Sequence, residues 1–304
     1  MTDARDGNTM VASAAKPAGR SLARMSLQRF LRHRLAIVGV IVLTIMIVGT
    51  AFAPMLSPHP HTQLNLRNRL SPPSAQHWLG TDGTGRDTMA RLLMGGRVSL
   101  AVGFVAVGLA TAIGLVLGSA AGFFGGMVEN VIMRFTDLVM SIPPLVAIIA
   151  LVAALGPNMR NTMLAIGLLG WPAIARLVRG EVLAARNMEY VTAARGIGGS
   201  SWRIIVRHIL PNIVSSVLVA ATLFMSSAIL MEAGLSFLGL GVQPPTPSWG
   251  NMLQQAQSFT MLERAPWLWI PPGLAIVVTV LSINFIGDGL SDALNPRQRS
   301  HGKR

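Results

Sequence analysis

Met188-Glu-Tyr-Val-Thr-Ala-Ala-Arg-Gly-Ile-Gly-Gly-Ser-Ser-Trp-Arg-Ile-Ile-Val-Arg-His-Ile-Leu-Pro211 is a polar, helix-forming insert set between two apolar segments. Tyr190, Ala193, Ala194 and Ile197 recur at helical spacing. The pair Gly198-Gly199 then interrupts the pattern, and Trp202, Ile205, Val206 and Ile209 resume it up to Leu210-Pro211. The spacing predicts two short helices, each with one apolar stripe, with Ser200 or Ser201 capping the second. Arg203 and Arg207, four apart, project beside that stripe. Such an element either docks on a partner protein or lies on anionic headgroups held by its basic residues.

The apolar surroundings settle the class. Charged residues make up 12% of the 304 positions against 51% hydrophobic ones, and the mean hydropathy is +0.53, too high for an ordinary soluble domain. The chain therefore reads as an all-helical integral membrane protein. Its net charge of +13 does not indicate nucleic acid, because the basic residues are scattered between apolar runs and only one Tyr is present. With no Cys there is no disulfide framework, thiolate metal site or cysteine nucleophile.

A hydrocarbon core needs about 20 apolar residues per helix. Runs of that order span Leu35 to Leu56, Ser99 to Gly122, Asp137 to Leu155, Met163 to Val178, Ile213 to Leu238 and Trp267 to Ile286. The first is too long for a signal-peptide core and lacks a small-residue cleavage site, so it is expected to remain as a spanning helix. The tail before it, rich in Ala, Ser and Gly, is expected to be disordered. Pro143-Pro144 in the third run and Trp171-Pro172 in the fourth are expected to kink their helices. In the second run Gly114 and Gly118 form a small-xxx-small pair suited to close helix packing.

These runs organise the chain into a tail (1–34), a first helix (35–56), a long loop (57–98), a core (99–290) containing the insert (186–211), and a second tail (291–304). Lys and Arg set the orientation. One side receives Arg20, Arg24, Arg29, Arg32 and Arg34, then Arg134, the insert with Arg176, Arg179, Arg186, Arg195, Arg203 and Arg207, and finally Arg297, Arg299, Lys303 and Arg304. The positive-inside rule makes that side cytoplasmic, with both termini on it.

The insert resembles the EAA loop of binding-protein-dependent ABC importer permeases, the loop that enters a groove on the ATPase subunit. Thr192 departs from the pattern, where the family often has Glu, and so does His208, where it often has Ile. The resemblance extends to His77-Trp-Leu-Gly-Thr-Asp-Gly-Thr-Gly-Arg-Asp87, to Arg91-Leu-Leu-Met-Gly-Gly-Arg97-Val-Ser-Leu100, to Glu232-Ala-Gly-Leu-Ser-Phe-Leu-Gly-Leu-Gly-Val-Gln-Pro-Pro-Thr-Pro-Ser-Trp-Gly250 and to Asn284-Phe-Ile-Gly-Asp-Gly-Leu-Ser-Asp-Ala-Leu-Asn-Pro-Arg297. Together these resemble the permeases of dipeptide and oligopeptide importers, a group that also includes glutathione, nickel and antimicrobial-peptide transporters. The resemblance implies a type I ABC importer permease fold with about six spans in a bacterial inner membrane. It also implies a second, homologous permease as partner, two cytoplasmic ATPases that bind ATP and Mg, and an extracytoplasmic substrate-binding protein. Tyr190, Thr192, Ala193, Ala194, Gly198, Trp202, Ile205, Ile209 and Pro211 are then the residues expected to couple to the ATPases.

The remaining chemistry is sparse. Gly80-Thr-Asp-Gly-Thr-Gly85 lacks the Gly-Lys-Ser/Thr ending of a phosphate loop and reads as a capped turn leading into an amphipathic stretch, Asp87 to Arg97. His59 and His61 in Pro58-His-Pro-His61 lack further ligands nearby in sequence, so no metal site is expected. No nucleophile is paired with a base and no cofactor motif is present, so no catalytic residue is assigned. Glu232 and Asp288 fall near helix ends at membrane depth and are expected to face protein or water instead of lipid. Glu232 either lines the translocation path or makes a polar contact inside the bundle, and the second is favoured because Gly and Ser surround it. Asp137 is expected to pair with Arg134. An ion-gradient-driven transporter is the alternative class, but it calls for broken helices in matched halves.

Overall fold

The computed structural model describes residues 27–294. The expected disordered tail up to residue 26 and the basic tail from residue 295, with Arg297, Arg299, Lys303 and Arg304, lie outside the described residues. The rest is almost entirely helical, and five helices are long and apolar enough to cross a membrane. They are α1 (Arg34–Ala51), α2 (Thr88–Phe124), a helix over Met159–Ala185, one over Leu210–Phe237 with the turns before it, and one over Ile270–Leu294. A sixth span exists if the bent pair α3 (Gly126–Met140) and α4 (Pro144–Leu155) is counted as one. The Met159–Ala185 helix is α5.

The third span differs from expectation. Asp137 to Leu155 does not form one helix: the chain bends by 84° between α3 and α4 at Ser141–Pro143. Pro144 stands in the first turn of α4, where its missing N–H is no loss, while Pro143 holds the preceding residue out of the helical region. Pro172, in contrast, is carried inside the continuous 27-residue α5, which is longer than the Met163 to Val178 run. Trp171 beside it stacks on Phe135 of α3 at 5.8 Å between ring centroids.

Helix α2 begins earlier than its apolar run because Asp87 caps it, its side chain accepting the Ala90 N–H at 2.8 Å. The amphipathic stretch thereby becomes the first turns of a 37-residue helix about 55 Å long. Gly114, Gly118 and Gly122 of α2 face α5. A Cβ on Gly118 would sit 2.5 Å from the Ala175 carbonyl oxygen, and one on Gly122 would sit 2.7 Å from that of Arg179. Only small residues permit this approach, which supplies the dispersion contacts that hold helices together in lipid. Glu129 of α3 adds a charge-assisted hydrogen bond from Arg179 Nε at 2.7 Å. Asp137 pairs with Arg176 at 2.7 Å, not with Arg134 as the sequence suggested, because the neighbouring helix α5 presents its guanidinium directly.

The relative ends of the bundle follow from specific contacts. His33, which caps α1, lies 3.6 Å from Asp292 in the last helix, so the first and last spans meet at one end. Thr50, near the other end of α1, packs where a Cβ on Gly96 of α2 would be. Helix α2 therefore returns toward the His33 end, and Phe124 finishes there. At the opposite end the loop before α2 meets residues 242–268, with Trp267 Nε1 donating to the Thr81 carbonyl at 3.2 Å.

Candidate functional site

The insert forms two helices, α6 (Glu189–Gly196) and α7 (Ser201–Ile204). A π-helical turn over Ile205–Ile209 then runs directly into α8 (Leu210–Phe237). Helix α6 stops in a Schellman motif: Gly199 N–H donates to the Ala194 carbonyl at 3.0 Å and Gly198 N–H to that of Arg195 at 2.9 Å. Gly198 has φ +80°, a conformation that glycine adopts without penalty. A Cβ on Gly199 would lie 2.7 Å from the Ala194 oxygen. Ser200 then caps α7 by accepting the Arg203 N–H.

Two faces result. Val191, Ala194, Ile204, Ile205 and Ile209 are buried in one cluster with Phe123 of α2, Val178, Val182 and Ala185 of α5, and Ile213 and Val217 of α8. Tyr190, Ala193, Ile197, Trp202 and Val206 face outward, with Ile197 88% and Trp202 75% exposed. Thr192, Gly198 and Pro211 are also exposed. Among the expected coupling residues, Ala194, Ile205 and Ile209 are buried in this interior cluster. The inner face of each half is set by where it packs on α2, α5 and α8, which the spacing alone does not encode.

Further residues fix the element, and the sequence reading missed their role. Arg186 Nη1 donates to the Gly122 carbonyl at 3.0 Å, satisfying an open carbonyl at the end of α2. The Arg195 guanidinium sits 5.0 Å from the centroid of Phe123. Asn212 Nδ2 donates to the Tyr190 hydroxyl at 3.2 Å and to the His208 carbonyl at 2.7 Å. Val191, at i−3 from Ala194, was the available signal for an inner stripe. The insert is thus bolted to the ends of α2, α5 and α8, on the side of the bundle where His33 and Asp292 meet.

Glu232 lies in α8 in the other half of the bundle and is fully buried. Ser99 Oγ of α2 donates to its Oε2 at 2.8 Å, and Ser236 Oγ donates to its Oε1 at 2.7 Å. Both hydroxyls are themselves acceptors: Ser99 from Trp249 N–H at 3.2 Å and Ser236 from Val242 N–H at 3.1 Å. The carboxyl therefore ties α2, α8 and the 242–249 connection together. In this structure Glu232 makes its polar contacts inside the bundle of its own chain. Asp288 is exposed on the surface of the chain.

The glycine-rich turn before α2 closes on its own carboxylate. Asp82 Oδ1 accepts from Thr84 N–H and Thr84 Oγ1 at 2.8 Å and from Arg86 N–H at 3.0 Å, and Oδ2 accepts from Arg86 Nε at 2.7 Å. Burial raises the Asp82 pKa, but hydrogen bonds from Arg86 and Thr84 outweigh it and hold the group below its ordinary value. The turn is filled by this side chain instead of a phosphate.

Residues 114–300 match the family described as binding-protein-dependent transport system inner membrane component, and residues 21–73 match the N-terminal TM domain of oligopeptide transport permease C. A peptide permease protein of Brucella suis biovar 1 is 44% identical over 281 residues, covering 92% of this chain and 93% of that one. The dipeptide transport system permease protein of Alkalihalophilus pseudofirmus is 43% identical over 277 residues, covering 91% and 90%. Among solved structures, the methionine ABC transporter in an inward-facing conformation aligns with a TM-score of 0.54 at 20% identity, covering 68% of this chain and 97% of that one. The last similarity shows a shared fold.

Proposed function

Because this chain belongs to the binding-protein-dependent transport system inner membrane component family, a permease without ATPase chemistry of its own, we propose that it forms half of the translocation path of a di- or oligopeptide importer. Two cytoplasmic ATPases, holding ATP and Mg, engage the outward face of the insert through Tyr190, Ala193, Ile197 and Trp202. A second, homologous permease completes the path, and an extracytoplasmic binding protein delivers the substrate. Both termini lie in the cytoplasm with the insert.

One observation carries this reading: an exposed aromatic and aliphatic face, Trp202 at 75% and Ile197 at 88% exposure, is mounted on an interior cluster shared with three membrane helices. Force applied to that face passes into α2, α5 and α8 as a rigid unit, because packed interiors transmit displacement instead of absorbing it. A helix merely resting on headgroups needs no such anchoring. The His33–Asp292 contact supports a common side for both ends of the described chain and the insert. The peptide class is supported by the names carried by the relatives at 43% and 44% identity.

Reconstitution of the complete complex tests the reading. Uptake of a labelled di- or oligopeptide should follow ATP and ignore imposed proton or sodium gradients. Uptake driven by an ion gradient without ATP supports the secondary-transporter alternative instead.

A further inference from the structure

The loop between α1 and α2 contains a cluster of ligating side chains that the coupling element does not use. His59, His77 and Asp87 offer ligating atoms that all lie within 4.8 Å of one another. His77 Nδ1 is 2.8 Å from Asp87 Oδ2, and the His59 and His77 rings are 4.8 Å apart between centroids. His59 Nε2 reaches the Gln76 carbonyl at 3.1 Å. Asp87 is held in place by its other oxygen, which accepts the Ala90 N–H at 2.8 Å. His59 stands between Pro58 and Pro60, whose rings restrict the backbone on either side. A cavity of about 360 Å³ adjoins the cluster, lined by these three residues with Gln63, Asn65 and Gln76.

We propose that His59, His77 and Asp87 bind a divalent transition cation of the Zn²⁺ class, with water as a further ligand from the adjoining cavity. Two imidazoles and one carboxylate match such an ion, whereas Mg²⁺ and Ca²⁺ select sites made of oxygen alone. Ligands of a four-coordinate ion with bonds of about 2.0 Å stand roughly 3.3 Å apart. Entry of the cation therefore replaces the hydrogen shared by His77 and Asp87, parts these two atoms by a few tenths of an ångström and draws His59 inward. The bound ion fastens the Pro58–Pro60 segment to the turn that starts α2, acting as a clamp within the loop. His61 is outside the ligand set, so the site is a product of the fold and not of the His-Pro-His spacing.

The experiment is titration of chelator-treated importer complex in nanodiscs with Co²⁺, followed by its visible absorption, and with Zn²⁺ by calorimetry. The expected result is one ion per copy of this chain, with the spectrum of a four-coordinate nitrogen and oxygen site. His59→Gln, His77→Gln and Asp87→Asn should each weaken binding by about tenfold or more, while His61→Gln leaves it unchanged. Asn at position 87 retains the helix cap, so its loss of binding is separable from misfolding. Absence of stoichiometric binding in the unaltered complex overturns the proposal. So does binding that survives all three substitutions, or that is lost equally in His61→Gln.

Discussion

Replacing Glu232 separates a structural carboxyl from one that meets substrate. In Glu232→Leu the Ser99 and Ser236 hydroxyls lose the acceptor they now share, at 2.8 and 2.7 Å, while their obligations to Trp249 N–H and Val242 N–H remain. An orphaned buried polar group costs about 1–3 kcal/mol. Removing a buried carboxyl also relieves its own desolvation, which puts the net loss near the low end, about 2 kcal/mol for the pair. Glu232→Gln keeps one acceptor, and its amide can donate to the second hydroxyl, which turns its own hydrogen to the carbonyl four residues back in its helix. Its expected cost is below about 1 kcal/mol. Heating the purified complex and measuring the fraction that stays monodisperse should show Glu232→Leu losing roughly 4 °C or more, with Glu232→Gln close to the parent in both melting and uptake. Normal assembly and melting in Glu232→Gln, together with lost uptake of free peptides and retained uptake of amino-blocked ones, would refute the argument.

Gly199→Val places a Cβ 2.7 Å from the Ala194 oxygen and should abolish ATPase copurification while membrane insertion is retained; Gly198→Asn, in open space and tolerant of positive φ, should keep both. Ala194→Trp should expand the interior cluster and loosen the insert from α2 and α5, detected as faster amide exchange in residues 189–209 even without ATPases. For Asp82, a native pKa below the ordinary value means its contribution is complete above the unfolded value near about 4 and is lost as pH falls through the lower, native one. Amide protection at Thr84 and Arg86 should therefore fall only in strong acid, and Asp82→Asn should remove that acid dependence while lowering protection at neutral pH.

Hydropathy and charge placement made the spans and the insert legible, since both depend on composition over long windows. What they did not carry was direction. Tyr190 and Ala194 share one stripe by spacing, yet Tyr190 is exposed and Ala194 buried, because the inner face of α6 is decided by its packing on α2 and α5. The prolines at 143 and 144 marked a bend but not its size, which depends on how α3 and α4 pack against α5. Asp137 chose Arg176 over its sequence neighbour Arg134, and His59 met His77 and Asp87 instead of His61, since both outcomes require segments distant in sequence to return. Glu232 was the opposite case: Ser236, one turn away, already indicated a polar contact, and Ser99 supplied the other half.

The central claim is that the outward face of the insert, mounted on α2, α5 and α8, is the surface the ATPases grip. The chain has no Cys, so a single introduced thiol is its sole label site. Trp202→Cys and Ile197→Cys should react readily with a maleimide in the permease pair alone and be protected when the ATPases are bound, whereas Val191→Cys, fully buried, should stay unreactive in both. Equal labelling of Trp202→Cys and Ile197→Cys with and without ATPases would contradict the account.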